Sequence, residues 1–178
     1  MCFPCFFSWA ARRETLREPA HRAFPKEAEE WDLDRIVDDY VSAALRCQAG
    51  GLDGIELQAY GHLLDGFLSS RTNRREDEYG GSPQARLRFP RRVIRAVREA
   101  VGPDFVVGIR MMIEDDRPGA LPREEGMAAL TAFADDGIDF VSTIKGSIES
   151  DHTLAQVIPS MGTPSAPFLD WSAQVKRE

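Results

Sequence analysis

The sequence predicts an α/β fold built from parallel βα units, on three observations. Stretches with a helical apolar stripe alternate with short apolar runs along most of the chain, which is the pattern a helix-covered parallel sheet leaves in a sequence. The run Phe105-Val-Val-Gly-Ile-Arg110-Met-Met is almost unbroken in its apolarity, as a strand covered on both faces requires. A helix-to-strand junction also recurs: Gly51-Leu-Asp-Gly-Ile55 and Gly137-Ile-Asp-Phe-Val141 each close a helix and launch a strand, and Pro103-Asp-Phe-Val106 does much the same between them.

The elements follow in order. Arg12 to Glu30 is charged and broken by prolines, so it reads as a surface segment. From Asp32 to Gln48 the apolar residues Leu33, Ile36, Val37, Tyr40, Ala44 and Cys47 form one stripe, predicting a helix with Asp32 as its cap and Gly50-Gly51 as its stop. Gly54 to Ala59 is the first strand, and the polar, arginine-rich stretch up to Gly80-Gly81 is expected to be a loop. Ser82-Pro83 then opens a helix to about Val101, with Leu87, Ile94, Val97 and Val101 inward. Pro90 lies inside it and should kink it or remove a backbone bond. Phe105 to Met112 is the second strand. Leu121-Pro122 and the acids Glu124 and Glu125 suit the start of a third helix, which Gly137 ends. Ile138 to Ile144 is the third strand; short helices are expected near Thr153 to Ile158 and Leu169 to Glu178.

Composition removes several classes of function. Acidic residues outnumber basic ones, 29 to 22, for a net charge of −7, which argues against a nucleic-acid or anionic-membrane surface. No apolar run approaches the roughly 20 residues that a membrane helix needs. Three cysteines, Cys2, Cys5 and Cys47, make no disulfide framework, so a reducing, cytoplasmic location is expected. Cys2-Phe-Pro-Cys5 has no second pair, and His21 and His152 lack ligand spacing, so no metal site is expected. Residues 1–16 lack the features of a secretory signal and are expected to be disordered or a mis-assigned start, leaving 17–178 as the domain.

A few residues are candidates for chemistry. Arg110 ends the second strand inside an apolar run, where a guanidinium is costly unless it meets an anion or a polar ring. A structural ion pair with Glu56, Glu114 or Asp115 is the alternative. Gln58, Tyr60 and His62 alternate at the end of the first strand, so they share a side until Gly61 breaks the pattern. The phenol and imidazole are capable of proton transfer. Asn73, Arg74, Arg75, Asp77, Glu78 and Tyr79 are expected to cross-link their loop, and Lys145 ends the third strand.

The segments Gly54-Ile-Glu, Gly61-His-Leu-Leu-Asp and Phe67-Leu-Ser, and above all Thr72-Asn-Arg-Arg-Glu-Asp-Glu-Tyr-Gly-Gly-Ser82, carry a resemblance. Together they resemble the region around the fourth barrel strand of the FMN-dependent old yellow enzyme family, which includes NADH:flavin oxidoreductases, 2,4-dienoyl-CoA reductases and trimethylamine dehydrogenase. The resemblance implies a partial (β/α)8 TIM barrel, about strands four to six with their helices, since 178 residues fall short of the roughly 250 of a whole barrel. It also implies an FMN cofactor, NADH or NADPH as electron donor, and a small-molecule substrate of amine or enoyl type. In that family the arginine matching Arg110 lies against the flavin N1 and C2 carbonyl, and Gln58 would face the pyrimidine edge. Tyr60 and His62 would hold the substrate and deliver a proton. The family usually has a histidine, then a histidine or asparagine, then a tyrosine at this point. Here one residue fewer precedes Leu63 and the order differs, which points away from simple ene reductases. A catalytically inactive fragment, or one that joins a complementary barrel half or a second copy, is the alternative expectation.

Overall fold

The computed structural model describes residues 9–10, 26–60, 63–146, 151–158 and 161–178. Two short strands, β1 (Trp9–Ala10) and β2 (Lys26–Glu27), pair in parallel ahead of the main unit. Helix α1 (Glu30–Ala49) begins one turn earlier than the stripe suggests. Its cap is Glu29, and Asp32 sits three residues inside, where its carboxylate accepts from the Glu29 N–H at 2.9 Å. This reciprocal box satisfies two amides that a helix start otherwise leaves bare. Gly51, at φ +81°, supplies the left-handed step that ends the helix.

Strand β3 (Gly54–Ala59) follows, and then a short helix, α2 (Leu63–Leu68), within the stretch expected to be all loop. Leu63, Leu64, Phe67 and Leu68 are all buried, so packing holds this single turn and a half where local propensity would not. The next helix is split into α3 (Pro83–Arg86) and α4 (Arg88–Val101), with the break at Leu87. Pro90 explains the position, because its ring collides with the carbonyl four residues back, at Arg86, and it has no N–H to donate there. Ser82 caps α3 by accepting from the Ala85 N–H at 3.1 Å. Strand β4 (Val106–Met112), helix α5 (Arg123–Asp135), strand β5 (Phe140–Ile144), and helices α6 (Asp151–Val157) and α7 (Leu169–Arg177) complete the order.

Strands β3, β4 and β5 form a parallel sheet in that order. Alternation separates its two faces. Leu57, Ala59, Val107, Ile109 and Met111 are all at 4% exposure or less and face the helices. Glu56, Gln58, Val106, Arg110 and Phe140 on the other face are exposed. The core therefore lies between the sheet and the layer of α1, α4 and α5, where Phe89, Val93, Ile94, Val97 and Phe133 are fully enclosed.

Helix α4 is the electrostatic spine of that layer. Arg92 pairs with Glu30 and Asp34 of α1. Arg91 and Arg95 grip Asp136 at the end of α5 from 2.6 and 2.7 Å. Arg98 donates to the carbonyls of Gly102, Phe105 and Gly137. Burial would raise the Asp136 carboxyl, but the bonds from the two arginines outweigh it and hold it below the usual range.

Candidate functional site

The three strands run the same way, so their carboxyl ends and the loops that follow gather on one edge of the sheet. There Ser70 donates to the Gly119 carbonyl at 3.1 Å, joining the loop after β3 to the loop after β4. Glu114, just past β4, lies 3.6 Å from Lys145, just past β5. The rim is thus tied together across all three strands. Asp115, held by Arg117, belongs to it; burial would raise its carboxyl, and hydrogen bonds from Arg117 leave it lowered instead.

The loop that carries the Thr72 to Ser82 motif is pinned internally, as its mixed charges predict. Asn73 Nδ2 donates to the carbonyls of Phe67 and Tyr79 at 2.8 and 2.7 Å, and its Oδ1 accepts from the Arg75 N–H. The buried Arg75 guanidinium donates to the Ala28 carbonyl and to Asp77. Arg86 reaches back to the Leu68 and Gly81 carbonyls and across to Glu125. Phe67, Tyr79 and Phe89 fill the space beneath. At Gly80 an added Cβ would lie 2.0 Å from the Arg75 carbonyl oxygen, so only glycine lets the loop close this tightly.

On the open face, register sets the candidate residues side by side. Gln58 is the direct partner of Arg110, and Arg110 of Ser142, giving a row of amide, guanidinium and hydroxyl. Neighbours in the row are separated by the strand spacing of about 4.8 Å. One step earlier along the strands, Glu56 lies level with Gly108 and Phe140. Its Oε1 is 2.9 Å from Arg110 Nε, and its Oε2 accepts from the Ser142 hydroxyl. Arg110 is therefore ion-paired and yet 45% exposed. Among the described residues its Nη1 and Nη2 make no hydrogen bond.

Beneath this polar row lies an apolar floor. The ring of Phe140 sits across Gly108, with ring carbons 2.1 to 2.5 Å from where a Cβ would stand. Val106 and Phe140 remain 41% and 42% exposed. A planar group with hydrogen-bonding atoms along one edge fits such a surface: an amide and a guanidinium side by side, apolar side chains below, and two guanidinium nitrogens that make no hydrogen bond among the described residues.

Tyr60 follows directly on the last residue of β3 and is half-buried, while His62 lies outside the described residues. Gln58, Arg110 and the start of the Tyr60 turn are thus brought to one end of one face. Lys145 is engaged elsewhere, with its Nζ 4.0 Å from the Trp171 ring and close to Glu114. Sequence reasoning named Glu56 as one possible partner of Arg110 but missed Ser142, whose place opposite Arg110 depends on the register of β5. No group of three or more metal-ligating side chains able to hold an ion occurs among the described residues. Within the same residues, no helix is long and apolar enough to cross a membrane.

The comparisons with known proteins bear on the family and the fold. The model of the NADH:flavin oxidoreductase / NADH oxidase family matches residues 8–154. A probable N-methylproline demethylase of Rhizobium meliloti is 44% identical over 161 residues, covering 90% of this chain and 24% of that protein. A multifunctional alkene reductase/demethylase of Caballeronia cordobensis is 40% identical, with 91% and 24% covered. Among solved structures, a 2-naphthoyl-CoA reductase complex superposes with a TM-score of 0.78 over 91% of this chain and 24% of that one, at 23% identity. Morphinone reductase in complex with tetrahydroNAD does so at 0.59 over 68% and 34%, at 34% identity. The chain spans about a quarter of the length of the curated relatives named here, and its three βα units are part of a (β/α)8 barrel. By its Thr72 to Ser82 clamp, its parallel βα units and its match to the family model, the chain belongs to the NADH:flavin oxidoreductase / NADH oxidase family.

Proposed function

We propose that the chain is the flavin-facing segment of an FMN-dependent oxidoreductase. The carrying observation is the in-register row of Gln58, Arg110 and Ser142, with the outer nitrogens of Arg110 unengaged among the described residues. Gln58 and Arg110 are the residues that would hold the ring's pyrimidine edge. A planar, forked donor is suited to paired acceptors of that kind. Bound there, FMN would supply hydride chemistry, with NADH or NADPH as the donor where reduction is required. The chain's own part is to position and to exclude water: Arg110 presents positive charge, Phe140 and Val106 present an apolar floor, and the rim loops close the edge. Tyr60 and His62, at the end of β3, are the proposed groups that hold or move a proton on the substrate side. Residues 17–178 form the barrel segment in this reading.

The substrate class we infer is an N-methylated amine. Two relatives at 44% and 43% identity are named as an N-methylproline demethylase and an N,N-dimethylglycine/sarcosine dehydrogenase. An enoyl compound is the next choice, on the alkene reductase relative. The test is to purify the chain, titrate it with FMN, and follow reduction of the bound flavin by sarcosine, N-methylproline or NADH. Saturable binding with reduction supports the reading; a folded chain that leaves FMN unbound contradicts it.

A second reading has one observation behind it. Val106 and Phe140 are exposed, and β3 and β5 are the outer strands of the described sheet, a combination that invites further strands. In that reading the chain is inactive alone and combines with a complementary barrel segment or a second copy of itself. A monomeric chain that both binds FMN and turns over would exclude it.

A further inference from the structure

We propose that Glu56 is a positioning residue, which fixes the Arg110 guanidinium so that its two terminal nitrogens face a ligand. This deepens the reading of the open face as a flavin site and rests on it. Glu56 stands level with Gly108, one step behind the row of Gln58, Arg110 and Ser142. From there one carboxylate oxygen meets Arg110 Nε at 2.9 Å and the other accepts from the Ser142 hydroxyl. The carboxylate thus spans β4 and touches both neighbouring positions of the row.

Two features make this more than a surface ion pair. A pair between long, solvated side chains is free to exchange rotamers and contributes little. Here the Ser142 hydroxyl holds the carboxylate from its far side, so the plane that Arg110 sees is fixed by two strands. Contact through Nε also has a geometric consequence. The 2.9 Å approach is an ion-pair contact at Nε and not a hydrogen bond along Nε–H, and Nη1 and Nη2 make no hydrogen bond among the described residues, so the outer edge of the planar guanidinium stays available for another partner. The carboxylate also offsets the guanidinium charge, so the row can take a ligand that is neutral in one state and anionic in another.

The experiment uses the whole 178-residue chain and two substitutions, Glu56→Ala and Glu56→Gln. The glutamine keeps a side chain of the same length that the Ser142 hydroxyl can still hold, and removes the charge, so positioning survives it and is lost in the alanine. The first readout needs no ligand: the side-chain Nε–H signal of Arg110 in nitrogen-edited NMR at neutral pH. It is expected to be resolved, and to exchange with water about tenfold more slowly in the wild type and Glu56→Gln than in Glu56→Ala. The second readout is FMN titration. Affinity is expected to fall about tenfold in Glu56→Ala and to stay within about threefold of wild type in Glu56→Gln.

An Arg110 Nε–H that exchanges equally fast in the wild type and Glu56→Ala overturns the proposal. So does a matching change of FMN affinity in both variants, because charge alone would then account for it. If the wild-type chain takes up no FMN, the flavin reading fails for this chain, and the NMR comparison alone decides whether Glu56 positions Arg110.

Discussion

The two faces of the three-stranded sheet are built to opposite rules. On the helix side Leu57, Val107, Ile109 and Met111 are sealed, and the charges around them are matched: Asp136 by Arg91 and Arg95, Glu125 by Arg86, Asp77 by Arg75. On the open side a guanidinium keeps two nitrogens unengaged among the described residues, and a phenylalanine is 42% exposed. A protein gains nothing in stability from leaving such groups bare. The contrast separates residues that specify the fold from residues kept ready for something else. It also keeps the most recognisable stretch of the sequence, Thr72 to Ser82, in the first group, as its mixed charges predict.

If that division is right, equal substitutions on the two faces should have unequal costs. Phe133→Ala, in the sealed layer at 0% exposure, is expected to destabilise by about 3–5 kcal/mol. Phe140→Ala on the open face should cost less than about 1 kcal/mol, because little packing is lost there. Urea denaturation of both variants makes the comparison; similar costs would break it.

The arginines provide a second contrast. Arg86→Ala leaves the Leu68 and Gly81 carbonyls and Glu125 without their donor, and about 3 kcal/mol should be lost. Arg110→Ala should cost about 1 kcal/mol or less, since its pair with Glu56 is nearly half solvated. Should Arg110→Ala prove as damaging as Arg86→Ala, Arg110 would belong to the fold and not to a site.

A third test concerns pH and only the helix side. The Asp136 carboxyl is lowered in the folded chain, since its hydrogen bonds to Arg91 and Arg95 outweigh the effect of burial. A lowered folded value means that its contribution is complete above the ordinary aspartate pKa of about 3.9. That contribution fades as pH falls through the folded value. Asp136→Asn should therefore cost about 1.5–3 kcal/mol at pH 7, and the gap should close as pH drops below about 4. A gap independent of pH would mean that the two arginines do not hold the charged form.

Much of the sealed side could be read from the chain, because local periods decide it. The stripe of Leu33, Ile36, Val37 and Ala44 and the unbroken Val106 to Met112 run left little choice. The short α2 could not be read: Leu63, Leu64, Phe67 and Leu68 make a helical pattern, but Gly66 interrupts it, and the turn exists because the core closes over it. The start of β5 at Phe140, two residues later than expected, reflects the Asp139 carboxylate accepting from the Val107 N–H at 2.8 Å. On the open side, alternation alone put Gln58, Tyr60 and His62 on one side of the first strand, and setting Gln58 beside Arg110 took the register of β3 and β4. The link from Glu56 to Ser142 joins residues 86 positions apart, and only the register of three strands brings them together.

The most direct test of the account is to map FMN onto the chain by backbone amide NMR. Titration should shift the signals of Gln58, Arg110, Ser142 and their neighbours at the carboxyl ends of β3, β4 and β5, and leave the outward arginines of α4 unmoved. Shifts confined to Arg88, Arg92 and Arg95, or a folded chain with no shifts at saturating FMN, would contradict it.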